Sequence, residues 1–190
     1  QVSFRKSGKF QRYFLQITAI LSILDLSGGC LMFNFNFYTP TRVVFGKETE
    51  YRIGKLVKNV NCKKVLLHYG SGSVIRSGLL GRIKESLDAS GVTYVELGGV
   101  VPNPRLSLVR EGIELCRKEG VDFLLAVGGG SVIDSAKAIG YGLANDGDVW
   151  DFYEHTRQAS ACLPIGVVLT IAASGSEMSN SSVITNDEYL

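Results

Sequence analysis

Histidine is nearly missing from this chain of 190 residues, where only His68 and His155 occur. A metal centre that needs several imidazoles cannot be assembled from these residues alone. The four cysteines, Cys30, Cys62, Cys116 and Cys162, lie far apart and form no CxxC pair. That spacing argues against a disulfide framework or a structural zinc site and for reduced thiols in a cytoplasmic compartment. A large excess of one charge is also lacking: 20 Lys and Arg stand against 18 Asp and Glu, with both signs interspersed. A dedicated nucleic-acid binder would show a basic stripe, so no nucleic-acid partner is expected. The apolar stretch 13–24 falls short of the roughly 20 residues that a membrane-spanning helix needs, and no membrane partner is expected either.

Glycine, by contrast, is plentiful. Its 22 residues cluster at the ends of apolar runs and do not form a linker. Such placement suits tight turns beside a ligand. Apolar residues make up 45% and charged residues 20%, so an ordinary core can form, and the length suits one α/β domain. Residues 1–31 combine a basic start with the apolar stretch, as in a secretory leader or a lipoprotein signal. Ordered patterning begins only at Met32, however, so residues 1–31 read as translated upstream or non-native sequence. The other end stops at "NDEYL" with no closing element, which reads as an incomplete copy of something longer.

From residue 42 onward, β-branched runs alternate with amphipathic stretches. The pattern predicts an edge strand at 42–45, a helix over 47–59, and a strand at 64–70. It continues with a helix over 77–91, a strand at 93–97, and a helix over 102–120 closed by Gly120. Residues 121–130 and 164–172 are continuous apolar runs, expected as strands buried on both faces, with a helix over 131–143 between them. The fold class is therefore α/β, a Rossmann-like parallel sheet with helices on both faces. Three strands end alike, in "LLHYGSGS", "LLAVGGGS" and "VLTIAASGSE". Ligands of open parallel sheets bind beyond the carboxyl ends of the strands, so these loops should share one crevice.

"AVGGGSVIDSAKAIG" places three glycines between a strand and a helix. Ser131 suits the N-cap, and Asp134 three residues later completes a capping-box pattern. Bare amides and the helix dipole at that turn make an anion site, and glycines let a phosphate approach closely. The usual dinucleotide fingerprint fails because Ile133 stands where glycine is required, and no phosphate loop of the G-x-x-x-x-G-K type occurs.

"GGGSVIDSAK" (128–137) and "TIAASGSEMSNSSVITN" (170–186) are similar to two signature segments of the iron-containing alcohol dehydrogenase family. "YGSGSVIRSG" (69–78), "GVVPNP" (99–104) and "WDFY" (150–153) follow in that family's order and spacing. The resemblance is closest to its butanol dehydrogenase branch and covers residues 32–190. It implies an N-terminal dinucleotide-binding domain over 32–190, followed by a helical metal-binding domain absent from this chain. Fe2+ or Zn2+ would be held there by one aspartate and three histidines, so the chain itself holds no metal ligand and no catalytic residue. It also implies hydride transfer between NADP or NAD and an alcohol or aldehyde, a homodimer at full length, and a cytoplasmic enzyme.

By the same resemblance, Gly129, Gly130 and Ser131 cradle the diphosphate and Asp134 lies at the nicotinamide side. Asn103 meets the phosphate–ribose region, while Thr170, Ser179 and Val183 line the adenine and nicotinamide pockets. The first loop, Gly70, Ser71, Gly72 and Ser73, bears on cofactor choice: small neutral residues beside Arg76 leave room for the 2′-phosphate of NADP. Lys137 reads as a surface ion-pair partner of Asp134. Glu177 reads as a buried structural acid, and His68 and His155 as ordinary loop or strand-end residues. On this reading the 190-residue chain alone is inactive and poorly soluble. Alternatives are a glycerol dehydrogenase-type polyol enzyme, a dehydroquinate synthase relative, a non-catalytic nucleotide-binding module, or an exported lipoprotein.

Overall fold

The structure is a computed structural model that describes residues 39–189; the leader and Met32 lie outside the described residues. Four runs rich in leucine, valine and isoleucine become strands: β1 Val65–Gly70, β2 Tyr94–Val100, β3 Phe123–Gly128 and β4 Ile165–Leu169. All pair in parallel, in the order β2-β1-β3-β4. The connecting helices are α1 Ile53–Lys58, α2 Ser73–Arg76, α3 Leu79–Ala89, α4 Leu106–Glu119 and α5 Gly130–Ala144.

Alternation along the two central strands divides the core. Val65, Leu67, Phe123, Leu125 and Val127 face α1 and α3, where Val57, Ile83 and Leu87 meet them. Leu66 and Leu124 face the other way, against Val109 and Ile113 of α4 and Ile139 of α5. Helices thus cover both faces, as the alternating pattern predicted. Every residue of β3 is buried. Burial of each of its two leucines contributes about 2 kcal/mol.

Close helix contacts rest on missing side chains. A Cβ on Gly112 of α4 would lie 2.5 Å from Ile139 Cδ1, and one on Gly142 of α5 would lie 2.3 Å from Ile113 Cδ1. Each helix offers a glycine to the other's isoleucine. The contact between α1 and α3 is tighter, because a Cβ on Gly54 would stand 1.9 Å from the Ser86 carbonyl oxygen. The Ser86 hydroxyl accepts from Gly54 N at 3.1 Å and donates to Tyr51 O at 2.8 Å, stitching the two segments together. Backbone cannot yield as a flexible side chain can. Gly54→Ala is therefore expected to cost about 2 kcal/mol and to lower the melting temperature by roughly 5 °C, read by thermal denaturation.

Three expectations change. Residues 42–45 form no strand. Val43 and Phe45 are 66% and 98% exposed, and among the described residues no neighbouring backbone pairs with this segment, which a strand requires. The helix expected over 47–59 resolves into a 3-10 turn, Thr49–Arg52, and the short α1. β4 is not buried on both faces: it is an edge of the described sheet and its residues are partly exposed or exposed. Gly120 does close α4, in the left-handed conformation at φ 67°. Among the described residues, no helix is long and apolar enough to cross a membrane.

Candidate nucleotide site

Because β2 flanks β1 on one side and β3 on the other, the chain reverses its direction of winding between β1 and β3. In open parallel sheets, ligands bind at such a point, beyond the carboxyl ends of the strands. Gly70 closes β1 and Gly128 closes β3, so the two glycine-bearing loops lie side by side. A Cβ on Gly70 would stand 3.8 Å from Val132 Cγ2, which ties the first loop to the opening turn of α5.

The helix start differs from expectation. Gly129, not Ser131, is the N-cap of α5; its extended backbone carries no side-chain cap, and its carbonyl accepts from Val132 N and Ile133 N. Ser131 is the second helical residue. By helix geometry, the N–H groups of Gly130 and Ser131 have no carbonyl a turn before them, so an anion site at this turn would not need the serine cap. The Asp134 carboxylate does not complete a capping box either. It accepts from Ser176 Oγ at 2.5 Å and from Val183 N at 3.3 Å, tying down a segment more than forty residues away.

Lys137 is a second correction. It is no surface ion-pair partner: it is 6% exposed and its ammonium donates to Ser176 O, Ser176 Oγ and Ser181 O at 2.6, 2.8 and 2.8 Å. Burial lowers its pKa, opposed by the nearby Asp134 carboxylate. Tyr141, one turn further along α5, donates to the Asn180 carbonyl, and the Tyr153 hydroxyl meets Ser182 Oγ at 2.7 Å. The polar stripe Asp134, Lys137, Tyr141 has the spacing of one helix face. That stripe was the available signal for these contacts, and its partners were not.

His68 is a third correction. It lies inside β1, fully buried, with Nδ1 at 2.8 Å from Leu97 O and Nε2 at 2.8 Å from Ser135 Oγ. The carbonyl can only accept, so Nδ1 carries the proton and Nε2 accepts from the serine hydroxyl. Burial pushes its pKa down to about 4. In "SGSE", Ser176 is the buried residue, while Glu177 is only half-buried.

The remaining expected residues follow the carboxyl ends of β1, β2 and β4. Thr170 donates its N–H to Gly128 O at 3.1 Å and carries β4 past the glycine turn. Ser179 accepts from Ser181 N at 2.9 Å, and Val183 is 69% exposed. Asn103 is exposed, at φ 56° in the loop after β2. Ser71 and Ser73 are exposed, and a Cβ on Gly72 would meet Arg76 Nη1 at 2.5 Å, so the guanidinium folds over that glycine. Ile171 and Ser174 reach over Gly129 and Gly130 in the same way, at 2.9 and 2.4 Å from the Cβ positions. At each of these glycines a side chain would collide with the neighbour that packs over it.

Comparison with known proteins agrees with this fold. The sequence profile of the iron-containing alcohol dehydrogenase family matches residues 40–189. The chain belongs to the iron-containing alcohol dehydrogenase family. It is 50% identical over 157 residues to the probable NADH-dependent butanol dehydrogenase 1 of Bacillus subtilis, covering 83% of this chain and 40% of that protein. It is 36% identical to the NADPH-dependent aldehyde reductase YqhD of Escherichia coli, covering 81% of this chain and 40% of that protein. The crystal structure of NADH-dependent butanol dehydrogenase A from Thermotoga maritima superposes with a TM-score of 0.80 at 46% identity, covering 82% of this chain and 39% of that one. The chain thus spans about 40% of the length of the curated relatives it matches.

The family is named for iron, but this part of it does not fit a metal. Among the described residues, no three His, Cys, Asp or Glu side chains group so as to hold an ion. Both ring nitrogens of His68 are already engaged.

Proposed function

We propose that residues 32–190 form the nucleotide-binding domain of a metal-dependent oxidoreductase that acts on an alcohol or aldehyde with NADP or NAD. The metal ligands would belong to a helical part of the protein beyond this chain. The single observation that carries the reading is the glycine turn Gly128–Gly130, opening α5 at the sheet's switch point in a member of this family. The names of the relatives, butanol dehydrogenases and an aldehyde reductase, support the substrate class. Cytoplasmic placement and a homodimer are part of the same proposal.

In this reading the N–H groups of Gly130 and Ser131 hold the diphosphate, with Gly129 leaving room for it. Asp134 and the 179–183 segment border the nicotinamide side, where Ser179 and Val183 sit, and Thr170 and Asn103 flank the rest of the nucleotide. The bound nicotinamide supplies hydride chemistry at a carbonyl or carbinol carbon. The chain's own residues orient it and fix its phosphates.

Gly70, Ser71, Gly72 and Ser73 border the adenosine ribose, with Arg76 as the cation available to a 2′-phosphate. Titration of the protein with NADH and NADPH, followed by nucleotide fluorescence, tests both points. Binding of neither sinks the nucleotide reading. Arg76→Ala is expected to weaken NADPH about five-fold and to leave NADH unchanged, as loss of one exposed charge-assisted contact would. Equal losses for both nucleotides would remove Arg76 from any phosphate role.

A further inference from the structure

Lys137 is an unusual residue to find at the core of α5, where its neighbours Ala136 and Ala138 are fully buried. A buried ammonium is costly unless all its protons are matched. Here they are: its three donors meet three oxygens, all from the segment 176–181. Ser176 passes the linkage on, its hydroxyl accepting from Lys137 and donating to Asp134 Oδ1 at 2.5 Å. Asp134 in turn takes Val183 N, and its own carbonyl accepts from Ser182 Oγ at 2.8 Å. Two side chains one turn apart on α5 therefore hold both ends of the 176–183 segment.

Two more polar contacts reach the segment: Tyr141 donates to the Asn180 carbonyl, and the Tyr153 hydroxyl meets Ser182 Oγ at 2.7 Å. Met178 and Val183 are exposed, as are the residues between them except the half-buried Ser182, and only Ser176 is buried. Its 3-10 turn, Ser176–Met178, is three residues long. With most of its side chains exposed, its position depends on polar contacts, most of them to α5.

We propose that Lys137 is a positioning residue of the nucleotide site, whose buried ammonium latches the 176–183 segment onto α5 and so places Ser179 and Val183 against the bound nucleotide. The latch itself is a property of the fold; its effect on affinity rests on the nucleotide-binding reading above.

Two measurements on Lys137→Met keep these apart. Hydrogen exchange is expected to speed up across 176–183 while β1 and β3 keep their protection. The dissociation constant for the preferred nicotinamide nucleotide is expected to rise roughly ten-fold, as for loss of one buried charged partner. In steady-state turnover of the full-length enzyme, KM for the nucleotide should rise by a similar factor with kcat within two-fold. Unchanged exchange in 176–183 overturns the latch. Faster exchange with unchanged nucleotide affinity overturns the positioning role. Should the wild-type protein bind no nucleotide, the functional reading fails while the exchange result still judges the latch. Should Lys137→Met fail to fold, Ser176→Ala removes only the shared hydroxyl and is expected to give the same pattern at about three-fold; no change in either readout refutes the proposal.

Discussion

Gly130→Val is expected to weaken nicotinamide nucleotide binding at least a hundred-fold, about 2.7 kcal/mol, while the sheet stays folded. Two effects act together. A branched side chain at the third residue of the glycine turn occupies the space above the first-turn amides, where a phosphate must come within hydrogen-bonding distance. It also strikes the loop after β4, since its Cβ alone would lie 2.4 Å from Ser174 Oγ. The core is spared because Gly130 is half-buried at the start of α5, away from the layers between helix and sheet. Isothermal titration with NADH and NADPH reads the affinity, and far-ultraviolet circular dichroism reads the fold. Retained affinity would mean that the diphosphate does not lie on this turn.

Acidification from pH 7 to pH 4 is expected to remove about 3 kcal/mol of stability through His68 alone. Its pKa in the folded protein is about 4, against 6.5 for an unperturbed imidazole. Burial is the main cause, since the imidazolium would lose its hydration in the core, and the bond to the Leu97 carbonyl offsets this only in part. Protonation would also turn Nε2 from an acceptor into a donor facing the Ser135 hydroxyl. Below pH 6.5 the unfolded chain takes up a proton that the folded one refuses, so stability falls as pH falls and levels off below about 4. About 2 kcal/mol of the loss comes between pH 7 and pH 5, above the range where carboxylates titrate. Urea unfolding midpoints across this range measure it. His68→Gln, which cannot titrate, should flatten the pH 5–7 portion; a wild-type curve already flat there would show that His68 is solvated or charged in the native protein.

The strand–glycine–helix unit around Gly128 was legible because its signals are local. An apolar run, three glycines and a helical period stand within eighteen residues, and each acts on its own neighbours. The parallel sheet with two helical faces followed from the same alternation. Asp134 and Lys137 were misread for the opposite reason. Their spacing on α5 suggests a pair with each other, yet their partners stand 39 to 49 residues further along the chain. Ser131 has the side chain of a cap, but the cap falls two residues earlier, at Gly129, leaving the hydroxyl past the cap position. Residues 42–45 have strand composition, but among the described residues no strand pairs with them.

The amino-acid sequence by itself determined the order of strands and helices, the glycine turn that opens α5, and the family. Each of these is written in short-range patterns of apolar spacing and backbone permissiveness. Tertiary structure alone decided that β1 and β3 lie adjacent with the winding reversed between them, that His68 is sealed in the core, and that Lys137 faces inward. Those outcomes depend on which distant groups come within hydrogen-bonding reach once the sheet has closed, and burial then sets the charge that each side chain can carry.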